Sequence, residues 1–273
     1  MPTPAVSVCI PTYKAARHIR QTVQSVLDQT FTDFELVICD DASTDDTLKI
    51  LSEFSDPRIR ILPSATNTGL APNWNRSVEN CRAPYVKLLC QDDLIYPTCL
   101  EKQLAILSNP GHADIALVSA RRDIIDNTGR IRARGRALWP TGRVRGPLAI
   151  KRIVRSGTNP LGEPAAVMFR AEAFHRAGGF RGELPYMIDV DFWCRLLRDS
   201  NMYYCPEILA AFRVSRSALS TALANSQSRQ ARTFFSTLAA DPLSCVTQTD
   251  ARIGSIKATL LAPLRRLAYR LFR

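Results

Sequence analysis

Two pairs of adjacent carboxylates have the types and spacing that could do chemistry. Asp40-Asp41 directly follows the apolar run 34–39, and Asp92-Asp93 comes shortly after the run 85–90. If both runs are strands of one parallel sheet, the pairs meet at its carboxyl edge, where open α/β sheets bind ligands. Crowded carboxylates need cationic or hydrogen-bonding compensation. The pairs therefore indicate either caps of the following helices or a site for a divalent cation, a polyphosphate or the donor groups of a nucleobase.

The elements that must position these pairs alternate over the first 120 residues. Short β-rich runs are followed by apolar residues at helical spacing, which predicts right-handed βαβ units and a mostly parallel sheet. Beyond this half, Asp126-Asn-Thr-Gly129 predicts a hairpin turn, and Gly178-Gly179 predicts the end of a helix. We predict strands at 6–10, 34–39, 58–62, 85–90, 115–119 and 165–170. We predict a first helix of about 14 residues that contains Ile19, Val23, Val26 and Leu27, and further helices from Ser43 or Thr44 onward and at 72–81, 97–107, 171–177 and 189–197.

Several classes of protein are excluded by missing motifs. The chain has no G-x-x-x-x-G-K-[ST], no G-x-G-x-x-G after the first strand and no G-x-S-x-G. These absences argue against P-loop NTPases, dinucleotide-dependent oxidoreductases and serine hydrolases. A receiver-like signalling domain would leave half of the 273 residues unexplained.

Composition and cysteine use are those of a globular protein in a reducing compartment. The chain is 46% hydrophobic and 22% charged, and its eight cysteines form no C-x-x-C pair, so we expect buried free thiols. No window approaches the roughly 18 apolar residues of a membrane span, and the N-terminus reads as a first strand, not a secretion signal. We expect a cytoplasmic protein that attaches to the inner face of the cytoplasmic membrane.

The net charge of +11 is concentrated in two segments. Residues 121–155 contain eleven Lys or Arg and two Asp, which indicates either a solvated hairpin or contact with an anionic acceptor such as a lipid-linked diphosphate sugar. Nucleic acid is disfavoured because the interleaving of aromatic with basic residues that base stacking needs is missing there. Residues 251–273 contain six Lys or Arg and no acid.

The basic C-terminal tail has an amphipathic pattern. Leu260, Leu264, Leu267 and Leu271 fall on one helical stripe, with most arginines off it. This pattern predicts either docking on an anionic membrane surface or packing against the body or a second subunit. Pro263 predicts that the helix is interrupted.

An ordered set of motifs resembles a known family. The set covers residues 5 to about 220 and resembles the inverting family 2 glycosyltransferases of bacterial surface glycans, which have the GT-A fold. The resemblance implies a mostly parallel, Rossmann-like α/β sheet flanked by helices, here with a helical C-terminal extension. The motifs are Val6-Ser-Val-Cys-Ile-Pro-Thr-Tyr13, Gln24-Ser-Val-Leu-Asp-Gln-Thr-Phe31, Phe34-Glu-Leu-Val-Ile-Cys-Asp-Asp-Ala-Ser-Thr-Asp45, Asn67-Thr-Gly-Leu70, Gln91-Asp-Asp93, Val167-Met-Phe-Arg170, Gly178-Gly-Phe180 and Ile188-Asp-Val-Asp-Phe-Trp-Cys-Arg195.

The resemblance implies a role for each matching residue. Asp189 corresponds to the catalytic base, and Asp93 to the ligand of a Mn²⁺ or Mg²⁺ ion. Such a base takes the acceptor proton while the metal offsets charge on the leaving diphosphate. The donor nucleotide-sugar would be bound by Pro11, Thr12, Tyr13, Asp41, Asn67, Gly69 and Asp92, with Asp40 assisting.

The sequence departs from the family pattern at three positions, one of which is Ile188, where a Glu commonly precedes the Asp. Gln91 opens the metal motif where many relatives have Asp, and Ser215 stands where many have a His near the diphosphate. Arg213, Ser217 or Ser220 are candidates to replace that His. Two alternatives stay open: a nucleotidyltransferase of the same fold, and an inactive nucleotide-sugar-binding subunit.

The expected organisation is a catalytic domain with a tail. Residues 1–220 would form the glycosyltransferase domain, with a nucleotide-binding half over 1–120 and an acceptor-binding half over 121–220. Residues 221–273 would form the helical extension. The acceptor would be a glycan or a lipid-linked saccharide, as in polysaccharide or lipopolysaccharide synthesis.

Overall fold

A ten-stranded sheet forms the centre of the protein in a computed structural model that describes residues 3–215, 223 and 225–271. The strand order is β3-β2-β1-β4-β9-β6-β10-β5, with β7 paired to β6 and β8 paired to β10. The strands are β1 (Val6–Thr12), β2 (Phe34–Asp40), β3 (Ile59–Pro63), β4 (Tyr85–Leu88), β5 (Leu94–Ile95), β6 (Ile115–Ile125), β7 (Ile131–Ala133), β8 (Gly142–Arg145), β9 (Val167–Arg170) and β10 (Asn201–Arg213). The helices are α1 (Ile19–Leu27), α2 (Thr47–Leu51), α3 (Leu70–Glu79), α4 (Cys99–Leu107), α5 (Gly146–Ser156), α6 (Ala171–Ala177), α7 (Ile188–Leu196), α8 (Gln227–Ala240) and α9 (Gln248–Leu271).

The strands β3, β2, β1 and β4 form the predicted parallel half of the sheet. Every residue of β1 and β2 is buried, as expected for strands covered by helices on both faces. In-register pairing places Thr12 opposite Asp40, so the loops after β1 and β2 emerge side by side. The first acidic pair and the Pro11–Tyr13 loop are thus adjacent because of the strand register.

The start of α2 differs from the prediction. The helix begins at Thr47, not at Ser43 or Thr44. The Ser43 hydroxyl donates to the Asp40 carboxylate at 2.6 Å, and the Asp45 carboxylate accepts from the backbone N–H of Thr47 at 3.2 Å. These bonds hold the preceding residues in a loop, because side chains of Ser and Asp offer the backbone an alternative to helix.

The second half of the sheet is mixed. Strand β9 lies between β4 and β6 and runs antiparallel to both, while β6 and β10 are parallel. The predicted hairpin after β6 is confirmed, since β7 pairs back onto it in antiparallel fashion. Helix α6 spans the predicted residues and ends at Gly178, which has a positive φ of 73°. The insertion of β9 brings the loop 157–164 beside the loop that carries the second acidic pair.

The helical extension is present and joins the main core. Phe234 and Phe235 of α8 and Ala258 of α9 are buried in the same cluster as α5 and α7. Gly254 allows α9 to cross α5 closely, because a Cβ there would lie 2.1 Å from the carbonyl oxygen of Val154. The predicted interruption at Pro263 is wrong: α9 continues through it to Leu271. Among the described helices, none is long and apolar enough to cross a membrane.

Candidate active site

A cavity of about 560 Å³ opens at the carboxyl ends of β1, β2 and β4. The rest of its wall includes the loop 157–164, the start of α7 and one residue of α9. Nine of the ten predicted site residues line it, so the sequence motifs converge on one place. They are Pro11, Thr12, Tyr13, Asp41, Asn67, Gly69, Asp92, Asp93 and Asp189.

Asp40 is the predicted site residue that the structure places outside the cavity wall. It is fully buried, and its carboxylate accepts hydrogen bonds from the Thr12 hydroxyl at 3.0 Å and from the backbone N–H of Ser43 at 2.8 Å. A carboxylate with these internal partners is satisfied without a ligand. Asp40 therefore fixes the loops after β1 and β2 rather than contacting a bound molecule itself.

Asp41 holds the loop on the opposite rim. One carboxylate oxygen accepts from the N–H and the hydroxyl of Thr68, both at 2.8 Å, and the other accepts from the N–H of Gly69 at 2.9 Å. The amide of Asn67 donates to the Asp41 backbone oxygen at 3.1 Å. Gly69 has a φ of 91°, which favours glycine. The Asn67-Thr-Gly69 motif is thus shaped by Asp41.

Gln91, the departure from the family pattern, forms an amide clamp on the first loop. Its Oε1 accepts from the backbone N–H of Tyr13 at 2.7 Å, and its Nε2 donates to the Tyr13 carbonyl at 3.1 Å. An aspartate could accept the first bond but could not donate the second. The amide therefore joins the loop after β4 to the loop after β1, which fixes one wall of the cavity.

The second acidic pair is buried and incompletely satisfied. Asp93 is 1% exposed; its Oδ1 accepts from the backbone N–H of Arg213 at 2.9 Å, whereas its Oδ2 has no hydrogen-bond partner within the described residues. Burial, followed by the charge of Asp92, raises the pKa of Asp93 well above its ordinary value. Burial also raises the pKa of Asp92. A buried carboxylate oxygen without a partner is costly and would be stabilised by a cation.

The residues here fit a divalent cation that also binds a ligand. Carboxylate oxygens suit Mg²⁺ and Mn²⁺, and Mg²⁺ is commonly held by one or two carboxylates together with substrate phosphates. The described part of the chain has no cluster of three His, Cys, Asp or Glu that could enclose an ion alone. Any ion at Asp93 would therefore need ligands besides these side chains, such as the phosphate oxygens of a bound molecule.

Asp189 lies in the first turn of α7 and lines the same cavity. Its Oδ2 accepts from the Asn159 amide at 2.8 Å, and its Oδ1 accepts from the N–H of Val190 at 2.8 Å. Burial, followed by the negative charge of Glu163, raises the pKa of Asp189 to about 7. The carboxyl group is therefore poised to exchange a proton near neutral pH. Asp191, two residues on, pairs instead with Arg195 at 2.7 Å.

Sequence reasoning missed the loop that supports Asp189. The Asn159 side chain also donates to the Gly162 carbonyl at 2.9 Å and accepts from the Gly162 N–H at 3.1 Å, which fixes its orientation. Glu163 lines the cavity and pairs with Arg122, with one bond of 3.2 Å. The stretch 157–164 reads as an ordinary Gly- and Pro-containing turn, so no sequence signal marks its two polar side chains as part of a site.

Arg265 of α9 also reaches the cavity and was not predicted there. Its guanidinium donates to the Tyr186 hydroxyl at 3.0 Å and to the Ala258 carbonyl at 3.1 Å. In the helical pattern of the tail, Arg265 lies off the leucine stripe. The burial of Ala258 explains the outcome, because it turns that face of α9 towards the body.

Arg213 and three serines are the candidates to replace the His that many relatives have near the diphosphate. Arg213 is fully buried and donates to the Asp92 carbonyl at 2.7 Å and to the Gln21 side chain at 2.9 Å. It supports the acidic loop from behind. Ser215 is buried as well, while Ser217 and Ser220 lie outside the described residues.

The arginine-rich segment 121–155 includes the end of β6, the strands β7 and β8, and most of helix α5. Arg132 pairs with Asp126 at 2.8 Å, and Arg134 pairs with Asp123 at 3.0 Å. These pairs fix the β6–β7 hairpin to buried carboxylates. Arg130, Arg136 and Arg145 are exposed.

Fold and site together define a class: an α/β protein with a carboxylate-lined cavity at the carboxyl edge of the parallel half of its sheet. The profile of glycosyl transferase family 2 matches residues 7–178, and the chain belongs to this family. MT1568 of Mycobacterium tuberculosis (strain CDC 1551) is 33% identical over 217 residues, which cover 77% of this chain and 67% of that protein. Chondroitin synthase of Escherichia coli is 33% identical over 195 residues, or 71% of this chain and 26% of the synthase.

Solved structures confirm the GT-A fold. Staphylococcus aureus TarS 1–349, crystallised with UDP-GlcNAc, superposes with a TM-score of 0.70 at 18% identity and covers 94% of this chain and 71% of its own. The mannosyltransferase PcManGT of Pyrobaculum calidifontis, in complex with GDP-Man and Mn²⁺, gives a TM-score of 0.65 at 17% identity. The match covers 99% of this chain and 74% of that protein. At these identities the likeness establishes the fold.

Proposed function

We propose that this protein is an inverting, metal-dependent glycosyltransferase that moves a sugar from a nucleoside diphosphate sugar to a glycan or lipid-linked acceptor. The observation that carries the proposal is that two carboxyl groups with different properties line one cavity. Asp189 has a pKa of about 7, and Asp93 has a buried oxygen without a hydrogen-bond partner among the described residues. One carboxyl group is suited to move a proton, and the other to hold a cation.

The donor occupies the half of the cavity formed by the loops after β1, β2 and β4. Tyr13, fixed by Gln91, and the Asp41-supported loop 67–69 border the nucleoside, and Asp92 and Asp93 face its diphosphate. A bound Mn²⁺ or Mg²⁺ supplies charge to stabilise the departing diphosphate. Asp40 is not available as a ligand of this ion, because its carboxylate is internally satisfied.

The acceptor approaches from the α7 side. The Asp189 carboxylate, oriented by Asn159, takes the proton of the acceptor hydroxyl. The acceptor oxygen meanwhile attacks the anomeric carbon of the donor sugar from the face opposite the diphosphate, which departs. Direct attack on that face inverts the anomeric centre and requires no covalent enzyme intermediate.

Two measurements test the proposal. In a thermal-shift panel of UDP-, dTDP- and GDP-sugars with and without Mn²⁺, we expect one nucleotide to raise the melting temperature in a metal-dependent way. Asp189→Asn should retain that shift but lose transfer by about 10²- to 10⁴-fold. If no nucleotide sugar stabilises the protein, or if Asp189→Asn transfers sugar at the wild-type rate, the proposal is wrong.

We also propose that the exposed face of α9 docks on an anionic membrane, which places the enzyme at the cytoplasmic face. Leu260 and Leu264 are 68% and 62% exposed, so the stripe does not pack on the described body. The exposed cations Lys257 and Arg266 lie on either side of it, about a sixth and about a third of a turn from Leu260. Each basic residue near an anionic surface contributes about 1 kcal/mol, and the leucines supply apolar contact.

Point variants test docking better than truncation, since Arg265 and the buried Ala258 lie in the same helix. We expect Leu260→Gln with Leu264→Gln to reduce sedimentation with phosphatidylglycerol vesicles and to leave nucleotide binding intact. Leu243→Gln, an exposed leucine outside α9, is the matched control. If the wild type stays in the supernatant at low salt, membrane docking is excluded.

A further inference from the structure

Arg265 is a cation in a cavity whose other charged lining residues are all carboxylates. Asp41, Asp92, Asp93, Glu163 and Asp189 line the same space. Within the described residues, no carboxylate lies within ion-pair distance of Arg265, and its Nε is buried without a hydrogen-bond partner. Its two bonded partners, a tyrosine hydroxyl and a backbone carbonyl, are neutral. A buried guanidinium donor without an acceptor is costly, and an oxyanion ligand would satisfy it.

Arg265 belongs to the acceptor half of the cavity. Tyr186, which its guanidinium contacts, precedes Asp189 by three residues and lines the same wall. Helix α9 also covers the start of the supporting loop, since Gly157 lies against Gly254 and Ala258. The donor-side residues come from the loops after β1, β2 and β4, and none of the hydrogen bonds described for Arg265 reaches them.

Arg265 lies on the face of α9 that packs against the body, opposite the exposed leucine stripe. Gly254, Ala258, Ala262 and Arg265 follow one another at helical spacing and face the body, whereas the leucine stripe lies about half a turn away. The packing of the small residues holds Arg265 towards the cavity. An arginine held in this way presents a planar fork of donors that matches carboxylate and phosphate geometry.

We propose that Arg265, oriented by Tyr186, forms a subsite for an oxyanion on the acceptor, so that the acceptor is a phosphate- or carboxylate-bearing saccharide rather than a neutral one. This inference rests on the proposed function, because it takes the Asp189 side of the cavity as the acceptor side. The oxyanion of the acceptor accepts hydrogen bonds from the Arg265 guanidinium. The reacting hydroxyl of the same saccharide then lies towards Asp189. Neutral saccharides would leave the guanidinium unsatisfied, which gives selectivity against them.

The experiment compares three rings that differ in one substituent: glucose 6-phosphate, glucuronic acid and glucose. Binding is measured by calorimetry with the donor half saturated by the nucleoside diphosphate that most stabilises the protein, which keeps the phosphorylated ring out of the donor site. The proteins are the wild type, Arg265→Gln, Arg265→Lys and the control Arg229→Gln, an exposed arginine of α8.

We expect the wild type and Arg229→Gln to bind at least one anionic ring about tenfold more tightly than glucose. Arg265→Gln should lose this preference while it binds the nucleoside diphosphate normally, and Arg265→Lys should keep part of it. Preference for the phosphorylated ring alone identifies a phosphate acceptor, and preference for the uronic acid alone a carboxylate acceptor.

Two results would overturn the subsite: equal or absent binding of the three rings by the wild type, or an anion preference that survives in Arg265→Gln. A loss of nucleoside diphosphate binding in Arg265→Gln with unchanged ring preference would also overturn it, since Arg265 would then act on the donor. If no nucleoside diphosphate binds the wild type, the proposed function fails and the subsite falls with it. If the nucleotide binds and the rings do not discriminate, the subsite alone fails.

Discussion

Replacing Glu163 with Gln changes the charge that faces Asp189 without touching the Asp189 carboxyl group. Burial is the main reason that the pKa of Asp189 is raised to about 7, and the Glu163 charge is the next. The variant removes that charge and also releases Arg122 from its pair, which leaves a positive charge near the site. Both effects favour the ionised form of Asp189, so its pKa should fall by about one unit.

The sign of the effect follows from the role of the base. Only ionised Asp189 can take a proton, so transfer should increase with pH and level off above about pH 7 in the wild type. At about pH 6 the wild type should retain about a tenth of its plateau rate, and Glu163→Gln about half of its own. The variant should therefore be relatively more active in mild acid.

The assay is the pH dependence of kcat/KM at saturating Mn²⁺, which keeps the Asp92-Asp93 pair ionised. Glu172→Gln, at an exposed glutamate of α6, is the matched control and should follow the wild-type profile. Coincident acid limbs for Glu163→Gln and the wild type would refute the electrostatic coupling. An acid limb that is absent near pH 7 in the wild type would refute Asp189 as the titrating base.

Three further predictions concern the donor half and the helical extension. Asp93→Asn should abolish the Mn²⁺-dependent part of nucleoside diphosphate binding in calorimetry, and an unchanged metal effect would move the ion elsewhere. Asp41→Ala removes the bonds that hold Thr68 and Gly69, and should weaken nucleoside diphosphate binding about tenfold even without metal; equal affinities would contradict this. Gly254→Ala places a Cβ 2.1 Å from the Val154 carbonyl oxygen and should cost about 1–3 kcal/mol in urea unfolding. An unchanged midpoint would show that α9 shifts freely on α5.

The parts of the fold that were predicted are those with strong local patterns. In three places the local sequence favours one structure over all others. These are the apolar run of β1, the spacing of Ile19 and Val23 in α1, and Gly178 at the end of α6. The start of α2 was missed because Asp45 and Ser43 bond to loop groups rather than capping at the expected place. The continuity of α9 through Pro263 was missed because packing of Ala258 and Ala262 holds the helix, which no local preference reports.

The candidate site divides in the same way. Asp41, Asp93 and Asp189 belong to recognisable motifs, and the sequence placed all three in one cavity. Asn159 and Arg265 carry no motif, and their partners are 30 and 79 residues away in the chain. Contacts over such separations arise from tertiary packing alone, so residue types and spacing could not reveal them.

The return of α9 to the cavity has a consequence for the order in which the protein is made. The donor-side residues lie between Pro11 and Asp93, whereas Arg265 emerges from the ribosome more than 170 residues after Asp93. Chains fold from the N-terminal side as they are synthesised, at about 5–20 residues per second. A nascent chain can therefore pair β1 with β2 about ten seconds or more before the α9 wall of the cavity closes. The Asp93 loop forms between these two events, because its carboxylate accepts from the backbone N–H of Arg213. During that interval the base loop and the core that α9 covers are exposed, which makes this stage the one most dependent on protection from misassembly.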